Sequence, residues 1–171
     1  MEPYTLHLTP YTVDPNVSAM DLTLYAVGKL RSIYRTVADE YLERLGHYCK
    51  VSEVEVREAG KAPSAQVMRV QESERLSQRI RQGSRIVVLD REAKPWSSEQ
   101  LASRVDVWRQ GGKPVGLVIG GSHGISPELV ARADERWGLG SLTLPHELAR
   151  VVVLEQCYRA WTILKGEKYH K

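Results

Sequence analysis

The alternation of apolar and polar positions changes period along the chain, and each change marks an element. After Asp21 the run LTLYAV is short and apolar and stops at Gly28, which predicts a strand. Over 31–46 the pairs Ile33/Tyr34, Val37/Ala38 and Tyr41/Leu42, then Leu45, recur at helical spacing before Gly46. VSEVEV then alternates with period two, as a half-buried strand does. The stretch from Pro63 to Gly83 reads as a polar-faced helix. RIVVLD (85–90) and PVGLVIGG are continuous apolar runs, the mark of strands buried on both faces. Between them SSEQLASRVDVWRQGG carries a capping pattern at Ser97 to Gln100 and ends in Gly111-Gly112. SPELVARADERWG reads as one helix with Ser126 as N-cap and Pro127 in its first turn. SLTL (141–144) reads as a fifth short strand, and Pro145 opens the last helix. Five strands separated by helices predict an α/β fold: one domain over 20–171, with a parallel-rich sheet and helices on both faces.

Residues 1–19 show neither period and hold three prolines. They are expected to be a disordered extension or a non-native leader, with the folded chain beginning at Met20. No base precedes Lys29, so this segment has neither a secretory signal nor an Arg-rich transit pattern. No apolar run reaches the roughly 18 residues of a membrane span. Cys49 and Cys157 form neither a metal spacing nor a disulfide framework, which points to a reduced cytoplasm. The net charge of +3 over 171 residues is a weak pointer to an anionic partner.

In open α/β sheets ligands gather at the carboxyl ends of the strands. Three such ends stand out: VVLDREAKPW, VIGGSHGIS and GLGSLTLPHE. The second lacks the spacing of a dinucleotide fingerprint or a P-loop, and its ordinary reading is a tight turn around His123. The third places backbone donors and acceptors beside Leu139, Leu142 and Leu144, a combination that suits an adenine-like ring, although on local pattern alone a strand flanked by turns is the preferred reading. No hydrolase or metalloprotease motif is present, so any chemistry rides on a bound cofactor. The last helix is apolar on two stripes, through Leu148, Val152 and Tyr158 and through Val153, Cys157, Ala160 and Leu164. Two stripes predict burial on both sides, either in a large core or between subunits, with a homodimer interface preferred. Glu155 and Arg159 stand at i, i+4 and are expected to pair. The tail GEKYHK follows directly, with Gly166 to turn it.

Taken together, LYAVGK, VVLDREAKPWSSEQLA, VIGGSHGIS, LTLPHELARVVVLEQCYRAW and the terminal YHK resemble the bacterial large-subunit ribosomal RNA methyltransferase H family, of the SPOUT class. The resemblance runs from Met20 to Lys171 in the family's order. It implies a C-terminal trefoil knot, S-adenosylmethionine as cofactor, no metal, a homodimer, and methylation of N3 of a pseudouridine in large-subunit rRNA within the ribosome. By motif position it places the donor on Leu89, Gly120, Leu139, Gly140, Ser141, Leu142, Thr143 and Leu144. Candidates for handling the N3 proton or the substrate are Arg150, Tyr169, His170 and His146. Lys165, Lys168 and Lys171 suit phosphates, and the tail of one subunit is expected to complete the site of the other. The alternative, from a different class, is a non-catalytic RNA- or ribosome-binding module that keeps the fold.

Overall fold

The computed structural model describes residues 20–170; the extension over 1–19 and Lys171 lie outside them. In chain order the elements are β1 (Asp21–Val27), α1 (Ser32–Gly46), β2 (Lys50–Val56), α2 (Ala65–Arg79), β3 (Arg85–Leu89), α3 (Ser98–Gly111), β4 (Val115–Ile119), α4 (Pro127–Ala131), β5 (Glu135–Trp137) and α5 (His146–Leu164). The strands form one sheet in the order β2-β1-β4-β3-β5, and every neighbouring pair is parallel. β4, the most continuous apolar run, is buried at all five positions and sits mid-sheet. The alternating strand β2 lies at an edge.

Side chains from the two faces of the sheet enter two cores. Leu22, Leu24 and Ala26 pack with residues of α1, α3 and α5, such as Leu42, Val105 and Val153. Tyr25 and Val27 point the other way and pack with Leu76 of α2 and Leu129 of α4. Period-two alternation along β1 therefore serves two helical layers at once. Helix starts follow the local chemistry. Ser97 makes a capping box with Gln100, and Ser126 caps α4 with Pro127 in the first turn.

Two elements depart from the sequence reading. The helix begun at Ser126 ends at Ala131, and Glu135–Trp137 becomes the fifth strand. Asp134 is the reason: its backbone N–H donates to the Ile86 carbonyl (2.9 Å) and its carboxylate accepts from the Ile86 N–H (2.7 Å). Those bonds draw the chain onto the edge of β3, and Trp137 is buried in the core as a result. SLTL then has no strand to join, because 135–137 already occupies that edge. Instead Gly138 passes beneath the loop after β3, donating to the Lys94 carbonyl (3.2 Å). A Cβ on Gly138 would stand 2.2 Å from the Ala93 carbonyl oxygen.

The neighbour in that crossing is backbone and cannot swing aside. Gly138→Ala is expected to cost about 1–3 kcal/mol, as overpacking does, read as a lower denaturation midpoint. Gly83→Ala, where the added Cβ meets nothing within 4 Å, provides the comparison for a substitution strained only by its positive φ.

Candidate functional site

All strands being parallel, the loops after β3, β4 and β5 collect at one end of the sheet. Leu89 ends β3 and packs half-buried against the larger core. Asp90 then donates its N–H to the Trp137 carbonyl (3.0 Å) and accepts from Arg136 Nε (2.8 Å), fastening the β3 and β5 ends to each other. At the end of β4, 121–124 closes as a tight turn, with the Gly124 N–H on the Gly121 carbonyl (3.0 Å) and Gly124 at φ +78°. His123 at its tip is exposed. Gly120 is buried, and a Cβ there would stand 2.6 Å from the Gly124 carbonyl group. The glycine thus serves the loop's own closure.

The segment 139–144 is the one with spare chemistry. Leu139 packs half-buried on the core, while Ser141, Leu142 and Thr143 are exposed, Leu142 at 78%. Gly140 takes φ +130° with open space around its Cβ position. Among the described residues, no backbone group of 139–144 makes a hydrogen bond within the chain. Unspent N–H and C=O groups, with Leu89 and Leu139 both packed on the core at this end of the sheet, are of the kind that would suit a flat heteroaromatic ring.

Two polar residues that the sequence reading passed over support this end. Glu72 of α2 is buried, accepts the Ala59 N–H on Oε1 (3.0 Å) and brings Oε2 against Gly121, where a Cβ would stand 2.6 Å away. Ser73 accepts the Ser126 N–H (2.8 Å), tying the β4–α4 turn to α2. The only signal in the sequence is a polar pair at the core-facing positions of a helix poor in apolar residues.

The four catalytic candidates separate. His146 opens α5, half-buried, next to 139–144. Arg150, one turn on, is fully buried. Its Nε donates to Glu53 (3.1 Å), its Nη1 to the Gly28 carbonyl (2.9 Å) and its Nη2 to Glu53 and Glu55. Arg35 completes the network on the second oxygen of Glu53 (2.6 Å). Every nitrogen of Arg150 is committed, so in this arrangement it contacts neither a phosphate nor a base; it holds the β1–α1 turn under α5. Arg31 closes the same turn from outside, its N–H and Nε each 2.8 Å from the Glu147 carboxylate. The Arg31 N–H, foremost, holds that carboxyl below the usual range against the opposing effect of desolvation.

Tyr169 and His170 lie elsewhere. Gly166 at φ +68° ends α5 with bonds from Gly166 N–H to Ile163 and from Glu167 N–H to Thr162, a Schellman turn. The tail folds back along the outer face of α5. Tyr169 donates to Glu155 (3.1 Å) and packs edge-on against Tyr158, and His170 Nε2 meets Glu99 of α3 at 2.9 Å. Burial and the carboxylate of Glu155 push the Tyr169 phenol upward, so it stays protonated and acts as a donor. Glu155 stands nine residues beyond His146, about 13 Å of helix rise. The expected Glu155–Arg159 pair is present at 3.0 Å.

Of the two apolar stripes of α5, Val153, Cys157 and Ala160 of one are buried inside the chain, where the helix lies between α1 and α3 on the sheet, while Leu148, Val152 and Tyr158 of the other are half-buried. Val153 and Ala160 are fully buried there. That stripe is covered without a second subunit, while the half-buried stripe through Leu148, Val152 and Tyr158 is not fully covered within the chain. Ile33 and Val37 on α1, 72% and 38% exposed, and Val107 on α3, 59% exposed, are large apolar side chains left uncovered on this side.

Breaking a buried ion pair costs about 3–5 kcal/mol. Arg150→Met is therefore expected to destabilise the fold by that order in urea denaturation. Unchanged stability with lost activity would return Arg150 to the list of substrate contacts.

The family described as "Predicted SPOUT methyltransferase" matches residues 20–170. Ribosomal RNA large subunit methyltransferase H of Pseudomonas putida (strain W619) is 43% identical over 155 residues, covering 89% of this chain and 100% of that protein. The protein of the same name from Anaeromyxobacter sp. (strain Fw109-5) is 45% identical over 153 residues with the same coverage. A probable methylase family protein from Haemophilus influenzae Rd KW20 shares the fold at a TM-score of 0.51 and 12% identity, over 89% of this chain and 70% of that one. A parallel sheet with an unpaired glycine loop after its last strand, and close relatives over nearly all the described residues, place this chain in the SPOUT methyltransferase family.

Proposed function

We propose that this protein transfers the methyl group of S-adenosylmethionine to N3 of a pseudouridine in large-subunit ribosomal RNA, acting on the ribosome in the cytoplasm. The observation that carries the reading is the cradle over 139–144, with its unspent backbone groups beside Leu89 and Leu139. There Leu139, Gly140, Ser141, Leu142, Thr143 and Leu144 would hold the adenine end of the donor, with Leu89 and Gly120 shaping the walls. When bound, the donor supplies a methyl group already activated by its sulfonium. The chain's own residues bind, orient and exclude water. The threading of Gly138 beneath 93–95, followed by the return of α5 across the sheet, supports a trefoil knot in this segment.

The acceptor N3 must lose its proton, and His146 beside the cradle or His170 on the tail can take it. Tyr169, kept protonated, donates a hydrogen bond or stacks on a base. Arg150 acts as a positioning residue through Gly28 and Glu53. We further propose a homodimer, supported by the uncovered Ile33 and Val37 on α1, in which the tail of one subunit reaches the cradle of the other. The helix rise between His146 and the Tyr169 anchor at Glu155 supports sharing across subunits over closure within one.

The primary test is methylation of ribosomes that lack the modification, followed by mass mapping of the nucleoside. N3-methylated pseudouridine is the expected product, and no methyl transfer despite donor binding would leave a binding module instead. Deleting residues 168–171 is expected to abolish transfer while donor affinity in calorimetry stays within about twofold (~0.4 kcal/mol). Mixing that chain with Gly120→Val, whose loop closure the side chain breaks, restores activity if the tail serves its partner. Formation of inactive heterodimers would assign the tail to its own subunit. Ile33→Glu with Val37→Glu is expected to give a folded monomer in sedimentation, and an unchanged dimer would move the interface elsewhere.

A further inference from the structure

A groove lies next to 139–144, on the outer side of α3. It has a volume of about 350 Å³ and is lined by Lys94, Trp96, Gln100, Arg104, Val107 and Glu135, among others. Its volume falls in the range of small-ligand sites, about 300–1,000 Å³. Its floor is a stacked column. The rings of Trp137 and Trp96 lie 5.4 Å apart and within 5° of parallel, and the Arg104 guanidinium sits 3.9 Å from the Trp96 centroid. Trp96 thus has both faces covered, and the column ends on the outer plane of Arg104, whose side chain is 41% exposed.

Charge and hydrogen-bonding groups indicate what extends the column. Glu135 is the one carboxylate lining the groove, and it is neutralised by Arg85 (3.1 Å), the Trp108 indole N–H (2.7 Å) and Arg104. Lys94 has no carboxylate partner among the described residues and is exposed. Gln100 spends its carbonyl on the Ser97 N–H (2.9 Å), which leaves its amide N–H₂ as a donor. A flat cation at the end of an aromatic stack, a free ammonium and an amide donor suit one ligand: a nucleotide, its base on Arg104 and its phosphate on Lys94. The location suits it too, since the Lys94 carbonyl accepts the Gly138 N–H and Gly138 leads straight into 139–144.

We propose that this groove is a subsite for an unstacked, single-stranded rRNA nucleotide flanking the methylated one, held by stacking on the Trp137–Trp96–Arg104 column and by a phosphate contact to Lys94. The inference rests on the function proposed above and deepens it, fixing part of the substrate's path over the protein.

The test uses the full chain and two readouts. The first is fluorescence anisotropy of a labelled single-stranded RNA hexamer, beside an abasic hexamer of the same charge. Wild type is expected to bind the hexamer and to bind the abasic form about tenfold more weakly, the size of one stacked base. Arg104→Ala should lose about that tenfold for the hexamer and little for the abasic form. Arg104→Lys, which keeps the charge and loses the plane, should resemble Arg104→Ala. Lys94→Ala should weaken both ligands and lower the salt dependence by about one phosphate contact. The second readout is methylation of ribosomes, where Arg104→Ala is expected to raise KM several-fold with kcat and S-adenosylmethionine affinity unchanged. Equal hexamer affinity in wild type and a folded Arg104→Ala would overturn the subsite, as would full function in Arg104→Lys. If wild type fails to methylate ribosomes at all, the proposed function falls, while the anisotropy series still decides whether the groove takes a stacked base.

Discussion

The backbone of Gly138 runs so close to the Ala93 carbonyl that no side chain fits between them, and the ligand end of the fold depends on that crossing. β5 is only three residues long, held on β3 by Asp134 at one end and by Asp90 at the other. Beyond Trp137 the chain pairs in parallel with the loop after β3 for one residue, Gly138 against Pro95, and then leaves the sheet. It therefore emerges as 139–144 with its backbone groups unspent, and it re-enters regular structure only at His146. The stacking of Trp96 on Trp137 locks the crossing from one side. The aromatic column, the cradle and the return of α5 all follow from this one close approach.

Around that crossing the molecule spends charge on position. Arg150 is held in a place where an unpaired cation would be prohibitive, and its partners Glu53 and Glu55 come from β2 at the far edge of the sheet. The network fixes the β1–α1 turn, while Glu72 and Ser73 fix the turns after β2 and β4. A methyl transfer from an activated donor needs no nucleophile from the protein, so rigid placement of donor and acceptor is the principal contribution this scaffold can make.

Most of the architecture was legible in the period of the apolar pattern. β1 to β4, the helices between them and the caps at Ser97 and Ser126 stand where the pattern put them, because there local preference and tertiary packing agree. They disagree over 126–144. ELVARADERW has a helical composition, yet the edge of β3 and the burial of Trp137 outweigh it, and SLTL has β-type residues with no partner left to pair with. Both effects depend on what the rest of the sheet has already occupied, which no local window contains. The same applies to α5, whose stripe through Val153, Cys157 and Ala160 records neighbours α1 and α3 within the chain. At the site, the glycines and leucines of the strand ends were visible as motifs. The commitment of Arg150 to Glu53 and Glu55 was not, since those residues are 97 and 95 positions apart in sequence.

The loops after β3, β4 and β5, braced by the crossing at Gly138, are proposed to form one donor site. Hydrogen–deuterium exchange with and without S-adenosylmethionine tests it most directly, because it reads the backbone amides that the structure leaves unbonded. Protection is expected to rise together over 139–144, at the Leu89–Asp90 turn and over 120–124, with the largest gain in 139–144. Protection confined to another part of the surface, or binding without any gain over 139–144, would contradict it.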